Sequence, residues 1–157
     1  MIGIDICYLN GSTDIWYDPY INRIGTKEEL LSKEEHFLVP LIFTQSGTKP
    51  MTSIEMSRKY VDMYDSFYSS DCICIVGFGF NKDDEHINGM LRRLIDIDNK
   101  KIIVTDLNNG IPNDQIKENI ANKLKITNDD NLEVILVDKD RNINTTNWIK
   151  YIIENHK

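Results

Sequence analysis

Apolar and polar positions follow two regimes along this chain, and the change comes near residue 70. Downstream, Cys72-Ile73-Cys74-Ile75-Val76 is an uninterrupted apolar run between Asp71 and Gly77, the pattern of a strand buried on both faces. Asp84 to Asp96 carries Ile87, Met90, Leu91, Leu94 and Ile95, the i, i+3, i+4 spacing of a helix with one apolar stripe. Lys101 to Asp106 reads as a second strand. Pro112 to Leu124 reads as a second amphipathic helix, with Ile116, Ile120 and Leu124 on one face and Pro112 or Asn113 near its start. Leu132 to Asp138 is a third strand, and Thr145 to Asn155, with Trp148, Ile149, Ile152 and Ile153, a closing helix. Strands alternating with helices across short connections predict right-handed crossovers and a mainly parallel sheet. The expected fold is therefore α/β, a partial Rossmann-like doubly wound sheet in three layers.

Upstream the pattern is less regular. Ile4 to Leu9 is an expected strand ending at Asn10-Gly11-Ser12, and Thr13 to Arg23, rich in aromatics and turn residues, reads as loop. Thr26-Lys27-Glu28-Glu29 is a capping box opening a short helix. Val39 to Thr44 is extended, and Gln45 to Met51 is a Gly/Pro loop. Thr52-Ser53-Ile54-Glu55 is a second capping box, whose helix places Tyr60, Val61, Tyr64, Phe67 and Tyr68 on one face. Three or four parallel strands make only half of a usual doubly wound sheet, so an apolar edge is left to be covered. The candidates are a second copy in a homo-oligomer, a partner chain, or the N-terminal segment.

Composition narrows the partners. The 157 residues are one domain's worth of chain, and 18 Lys+Arg against 25 Asp+Glu give 18 − 25 = −7. That balance argues against nucleic acid, whose phosphates are met by clustered Lys and Arg. No apolar run approaches the roughly 20 residues needed to cross a bilayer, and Met1-Ile2-Gly3-Ile4-Asp5 lacks the basic flank of a secretory signal, so a cytoplasmic protein without membrane contact is expected. Cys7, Cys72 and Cys74 lack the paired spacing of a structural zinc site and are expected to be buried packing residues, with no metal bound.

Candidate chemistry gathers where strands end. Gly77-Phe78-Gly79 follows the strongest strand and precedes a helix, so the backbone there can turn sharply and approach a ligand. The third glycine of the dinucleotide fingerprint is missing, and the helix opens on Asp83-Asp84-Glu85, which repels a pyrophosphate. On spacing alone a tight strand–helix turn with an acidic first turn is the favoured explanation of the segment. Asp106-Leu107-Asn108-Asn109 and Asp138-Lys139-Asp140 end the next two strands, where α/β sheets bind ligands, although taken alone Asp and Asn there are better explained by turns and helix caps. His36, His86 and His156 have no partner at a suggestive spacing.

In order along the chain, these segments resemble the C-terminal portion of a SIR2-like (sirtuin-related) domain of the zinc-less bacterial branch found in antiphage defence proteins. The resemblance is carried by Tyr8-Leu9-Asn10-Gly11-Ser12, by Val39-Pro40-Leu41-Ile42 with Gln45 to Pro50, by Cys72 to Val76 with Gly77-Phe78-Gly79-Phe80, by Asp84-Glu85-His86-Ile87-Asn88 and by Lys101 to Asn108. It treats 1–157 as a single domain, with 1–70 an irregular segment and 71–157 the Rossmann-like half. It implies NAD as cofactor and either NAD-dependent protein deacylation or cleavage of the nicotinamide–ribose bond. Gly77, Phe78 and Gly79 would approach the ribose or phosphates, Asp106 and Asn108 the adenosine ribose, and Asp138 the adenine. Asn10 stands at the position of the family's general-base histidine, and an amide cannot take up a proton near neutral pH. The family's upstream phosphate loop and nicotinamide-ribose segment have no counterpart in this polypeptide. The expectation is the adenosine-side half of an NAD-binding domain, inactive alone. A non-enzymatic interaction module and a small adenine-nucleotide binder are the alternatives.

Overall fold

A computed structural model of the chain describes residues 9, 11–30, 37–42 and 53–156. They belong to two compact units, Met1–Asp65 and Ser66–Lys157, with the division inside one long helix. The expected strand at Ile4 to Leu9, apart from Leu9 itself, lies outside the described residues, as do Cys7, Asn10, His36 and the Gln45 to Met51 loop.

The first unit holds a small antiparallel sheet of β1 (Gly11–Asp18), β2 (Arg23–Gly25) and β3 (Val39–Ile42) in the order β2-β1-β3, with a one-turn helix α1 (Lys27–Leu30). The Thr13 to Arg23 loop expectation is corrected here: most of it is strand β1, which pairs on both edges, Tyr17 lying opposite Ile24 and Val39. Pairing on two sides decides the conformation over local composition. Asp18, fully buried, closes the hairpin by accepting from Tyr20 N at 2.9 Å, and Asn22 takes the left-handed backbone (φ 52°) that the turn needs. The first capping box forms reciprocally, Thr26 N to Glu29 Oε2 at 2.8 Å and Glu29 N to Thr26 Oγ1 at 3.3 Å. At α2 (Ile54–Ser69) the cap is Ser53, whose Oγ accepts from Met56 N at 3.3 Å. Glu55, expected to complete that cap, instead accepts from Ile24 N of β2 at 2.6 Å. Val61 and Tyr68 of α2 are exposed, so the buried stripe of this helix runs through Met56 and Tyr60.

The second unit is built on three parallel strands, β4 (Cys72–Val76), β5 (Lys101–Leu107) and β6 (Leu132–Val137), in the order β4-β5-β6. The register runs Ile73↔Ile102↔Leu132 and Ile75↔Val104↔Val134. The central β5 is the core, with Ile102 and Ile103 wholly buried. Helices α3 (Glu85–Asp96) and α4 (Asn113–Leu124) are the crossovers, burying Leu91, Leu94 and Ile95 from one and Ile116, Ile120 and Leu124 from the other. Arg92 ties them together by donating from Nε to the Leu124 carbonyl at the end of α4. Helix α5 (Trp148–Asn155) packs Ile152 against Ile103 and Ile135 on the other face of the sheet. The closing helix starts later than expected, because Asn142–Ile143 (β7) and Thr146–Asn147 (β8) form a two-residue ribbon and the Asn147 side chain caps α5 by accepting from Ile149 N at 3.0 Å.

Strand β4 also departs from expectation. It lies at an edge of the described sheet, and only Ile73 is fully buried; Cys74 is exposed and Val76 is half exposed. Cys72 is partly buried and both thiols are free, so these cysteines are not the buried packing residues their apolar neighbours suggested. Cys72, Cys74 and Val76 share one face of β4, and on that side α5 packs against Ile103 of β5 and Ile135 of β6, so the edge strand is less covered there; sequence periodicity carries no information about which layers lie above it.

Candidate functional site

The chain leaves β4 through Gly77 in the left-handed region (φ 68°) and enters α3 through a single 3-10 turn at residues 82–84. Between them Phe80 is also left-handed (φ 53°) although it is a bulky residue and 4% exposed. That conformation costs a non-glycine residue about 1–2 kcal/mol, and the surroundings hold it. The Phe80 ring packs edge-on to Phe78 with centroids 5.0 Å apart. From α3, Asn88 Nδ2 donates to the Asn81 carbonyl at 2.9 Å; from α4, Lys123 Nζ donates to the Gly79 carbonyl at 3.1 Å. The loop is thus held in place by both crossover helices.

This loop forms one wall of a cleft of about 410 Å³ at the carboxyl ends of β4 and β5, within the size range of small-molecule sites. Val104 and Thr105 of β5 contribute to the lining, and Asp106, the next residue, stands at the rim. Asp106 is exposed and uses Oδ1 to accept from Leu107 N at 2.8 Å. The opposite wall is α4 with the turn before it: Ile111, then Gln115, Asn119 and Lys123, one helical turn apart on a single polar face. Sequence reading missed that face, although the i, i+4, i+8 spacing of three polar residues beside the Ile116/Ile120/Leu124 stripe was the available signal.

Of the residues singled out from sequence, Gly77, Phe78, Gly79 and Asp106 come together around this cleft. Asn108 and Asp138 do not line it. Asn108 Oδ1 accepts from Gly110 N at 3.2 Å, and Asp138 Oδ1 accepts from Asp140 N and Asn142 N at 2.9 and 2.8 Å, so both side chains close turns. Asn109 does line it, its Oδ1 accepting from Ile111 N at 3.1 Å. Asn10 lies outside the described residues. His156 is at the opposite end of β5, with Nδ1 2.9 Å from Lys101 Nζ and Nε2 3.5 Å from a Glu133 carboxylate oxygen. His86 sits half-buried in the first turn of α3.

Two titratable groups near the loop are perturbed. The Arg92 hydrogen bond at 2.9 Å holds the Glu85 carboxyl below the usual glutamate range, and Lys125, 3.9 Å away, adds to the effect. Desolvation pushes the Cys74 thiol up, with the nearby Cys72 adding to it, so Cys74 is a poor nucleophile at neutral pH. Among the described residues no group of three or more His, Cys, Asp or Glu is placed to hold a metal ion, and no helix is long and apolar enough to cross a membrane. What the cleft offers is hydrogen bonding and shape: exposed loop backbone, one carboxylate, several carboxamides and one ammonium. No protein-family model, curated protein or solved structure matches this chain.

Proposed function

We propose that the cleft binds the adenosine half of a nucleotide, NAD by the SIR2-like resemblance, and that the isolated chain does not turn it over. One observation carries this reading: the Gly77–Phe80 loop and Asp106 occupy the carboxyl ends of adjacent parallel strands and line the same cleft. That is where open α/β sheets bind ligands, with an acid after the second strand positioned to accept from ribose hydroxyls. The residues fit such a group. A Cβ placed on Gly77 meets nothing within 4 Å, so the loop backbone borders open space that a ribose or phosphate can approach. Gly77, Phe78, Gly79 and Asp106 hold the adenosine; Asn108 and Asp138, expected to join them, are assigned to turns. NAD bound here supplies an electrophilic nicotinamide-bearing ribose carbon, and this chain supplies no proton acceptor at Asn10 to exploit it. The wider expectation, a Rossmann-like doubly wound domain of the bacterial antiphage branch, rests on the same resemblance.

Calorimetric titration of the full chain with NAD and ADP-ribose, paired with an assay for free nicotinamide, tests the reading. Saturable binding, at least tenfold weaker in Asp106→Ala, with no nicotinamide released is the expected result. No binding, or nicotinamide released by the chain unaided, overturns it. Association through β4 is the second part of the proposal. Its outer edge has no hydrogen-bonded neighbour among the described residues, and Val76 is half exposed on it. A homo-oligomer that covers this edge is expected in sedimentation experiments, and a strictly monomeric chain at high concentration counts against it.

A further inference from the structure

A second groove, of about 310 Å³, opens between the start of α3 and the end of α4 and shares Phe80, Asn119 and Lys123 with the cleft. It differs from the cleft in charge. Lys82, Lys123 and Lys125 line it together, in a chain whose formal charge is −7. Its one acid, Glu85, is engaged by Arg92 at 2.9 Å with Lys125 3.9 Å away, and Lys123 also donates to the Gly79 carbonyl at 3.1 Å, so positive charge still exceeds negative along the groove. Asn119 and Asn122 add carboxamides. Asn88 also lines the groove, is 1% exposed, and its Oδ1 accepts no hydrogen bond. The orientation of this amide is settled by its other end: Nδ2 donates to the Asn81 carbonyl, and turning the amide over would set two acceptors against each other. A buried acceptor without a donor is unfavourable, and such groups in folded proteins call for an explanation.

We propose that this groove is a phosphate subsite for a phosphorylated ribose, with the lysines on the phosphate and Asn88 Oδ1 accepting from a ribose hydroxyl. A phosphate alone satisfies the cations but brings Asn88 no committed donor; a ribose alone leaves three lysines against a single carboxylate that Arg92 already shares. Ribose phosphate supplies both, and the groove's volume lies at the small end of the range for ligand sites, about 300–1,000 Å³. The position also answers a difficulty in the cleft. The 3-10 turn before α3 carries Asp83 and Asp84 and the helix opens on Glu85, so a phosphate seated on the helix amides meets acids. The lysines at the end of α4 offer that phosphate a different seat, past Phe80. The groove stands on its own residues. That its ribose phosphate belongs to the nucleotide in the cleft rests on the reading above.

Titration of the full chain with adenosine, ADP, ribose 5-phosphate and inorganic phosphate separates these statements, with a Lys82→Ala/Lys125→Gly double variant as control. Lys125 already has left-handed backbone (φ 55°) at the end of α4, so glycine suits it, and an unchanged thermal midpoint verifies the fold. ADP binding at least tenfold tighter than adenosine, an advantage lost in the variant and eroded by added salt, is the expected result. Equal affinities for adenosine and ADP overturn the groove and leave the cleft reading standing. Ribose 5-phosphate binding that the variant loses, with no binding of adenosine or ADP, upholds the groove and overturns the cleft. Ribose 5-phosphate binding no tighter than inorganic phosphate overturns the contact to Asn88, and silence from all four ligands overturns both readings.

Discussion

Replacing each loop glycine by alanine separates backbone strain from crowding, because the two glycines face opposite constraints. At Gly77 a Cβ has open space, with nothing within 4 Å, but the backbone is at φ 68°. At Gly79 φ is not positive, yet a Cβ meets Asn81 Nδ2 at 3.1 Å. A left-handed non-glycine residue costs about 1–2 kcal/mol, and alanine returns roughly 0.4–1 kcal/mol by restricting the unfolded chain. Gly77→Ala is therefore expected to destabilise by about 1 kcal/mol, a fall of roughly 2–4 °C in Tm for a chain of this length. Gly79→Ala gains the same unfolded-state term and displaces only the end of a flexible carboxamide, so its expected net change lies within about 0.5 kcal/mol of zero. Trp16 and Trp148 lie in different units. In a Trp16→Phe background, Trp148 fluorescence therefore follows the second unit alone through thermal or urea unfolding. A Gly79→Ala loss larger than that of Gly77→Ala refutes the reasoning, since crowding rather than backbone conformation then governs the loop.

Two further predictions concern titration. Glu85 has its carboxyl lowered by Arg92, so its stabilising contribution is present above the ordinary glutamate range and is lost as pH falls through the lowered value. The pair is partly exposed and solvent-screened, so a modest Tm advantage of the wild type over Glu85→Gln is expected at pH 6 and shrinks as the carboxyl protonates in acid; an advantage that does not change as pH is lowered counts against the ion pair as its source. Cys74, raised by desolvation and then by Cys72, is expected to be alkylated by iodoacetamide more slowly than free cysteine at pH 7, with a reactivity midpoint above that of the free thiol. Peptide mapping by mass spectrometry reads the rate, and a midpoint at or below the free value refutes the assignment.

Sequence by itself determined the elements whose cause is local or strictly periodic. The apolar stripes of α3 and α4, the continuous run of β5 and β6 and the reciprocal Thr26–Glu29 cap were legible, because side-chain period and capping chemistry act within a few residues. The cleft was half legible: Gly77, Phe78, Gly79 and Asp106 stand out at strand ends, while Gln115, Asn119 and Lys123 acquire meaning only when α4 is laid beside the loop. Tertiary structure alone decided which apolar run became the central strand and which the edge. Cys72–Val76 and Ile102–Val104 read alike, but of these two strands only β5 has neighbours on both sides among the described residues. It also turned Thr13–Asp18 from an apparent loop into a doubly paired strand, and it diverted Glu55 from its own helix cap to the backbone of Ile24. In each case at least one hydrogen-bond or packing partner distant in sequence, such as β3 for β1 and Ile24 for Glu55, outweighs a local preference worth no more than about 1 kcal/mol, and no short window of neighbouring residues contains that partner.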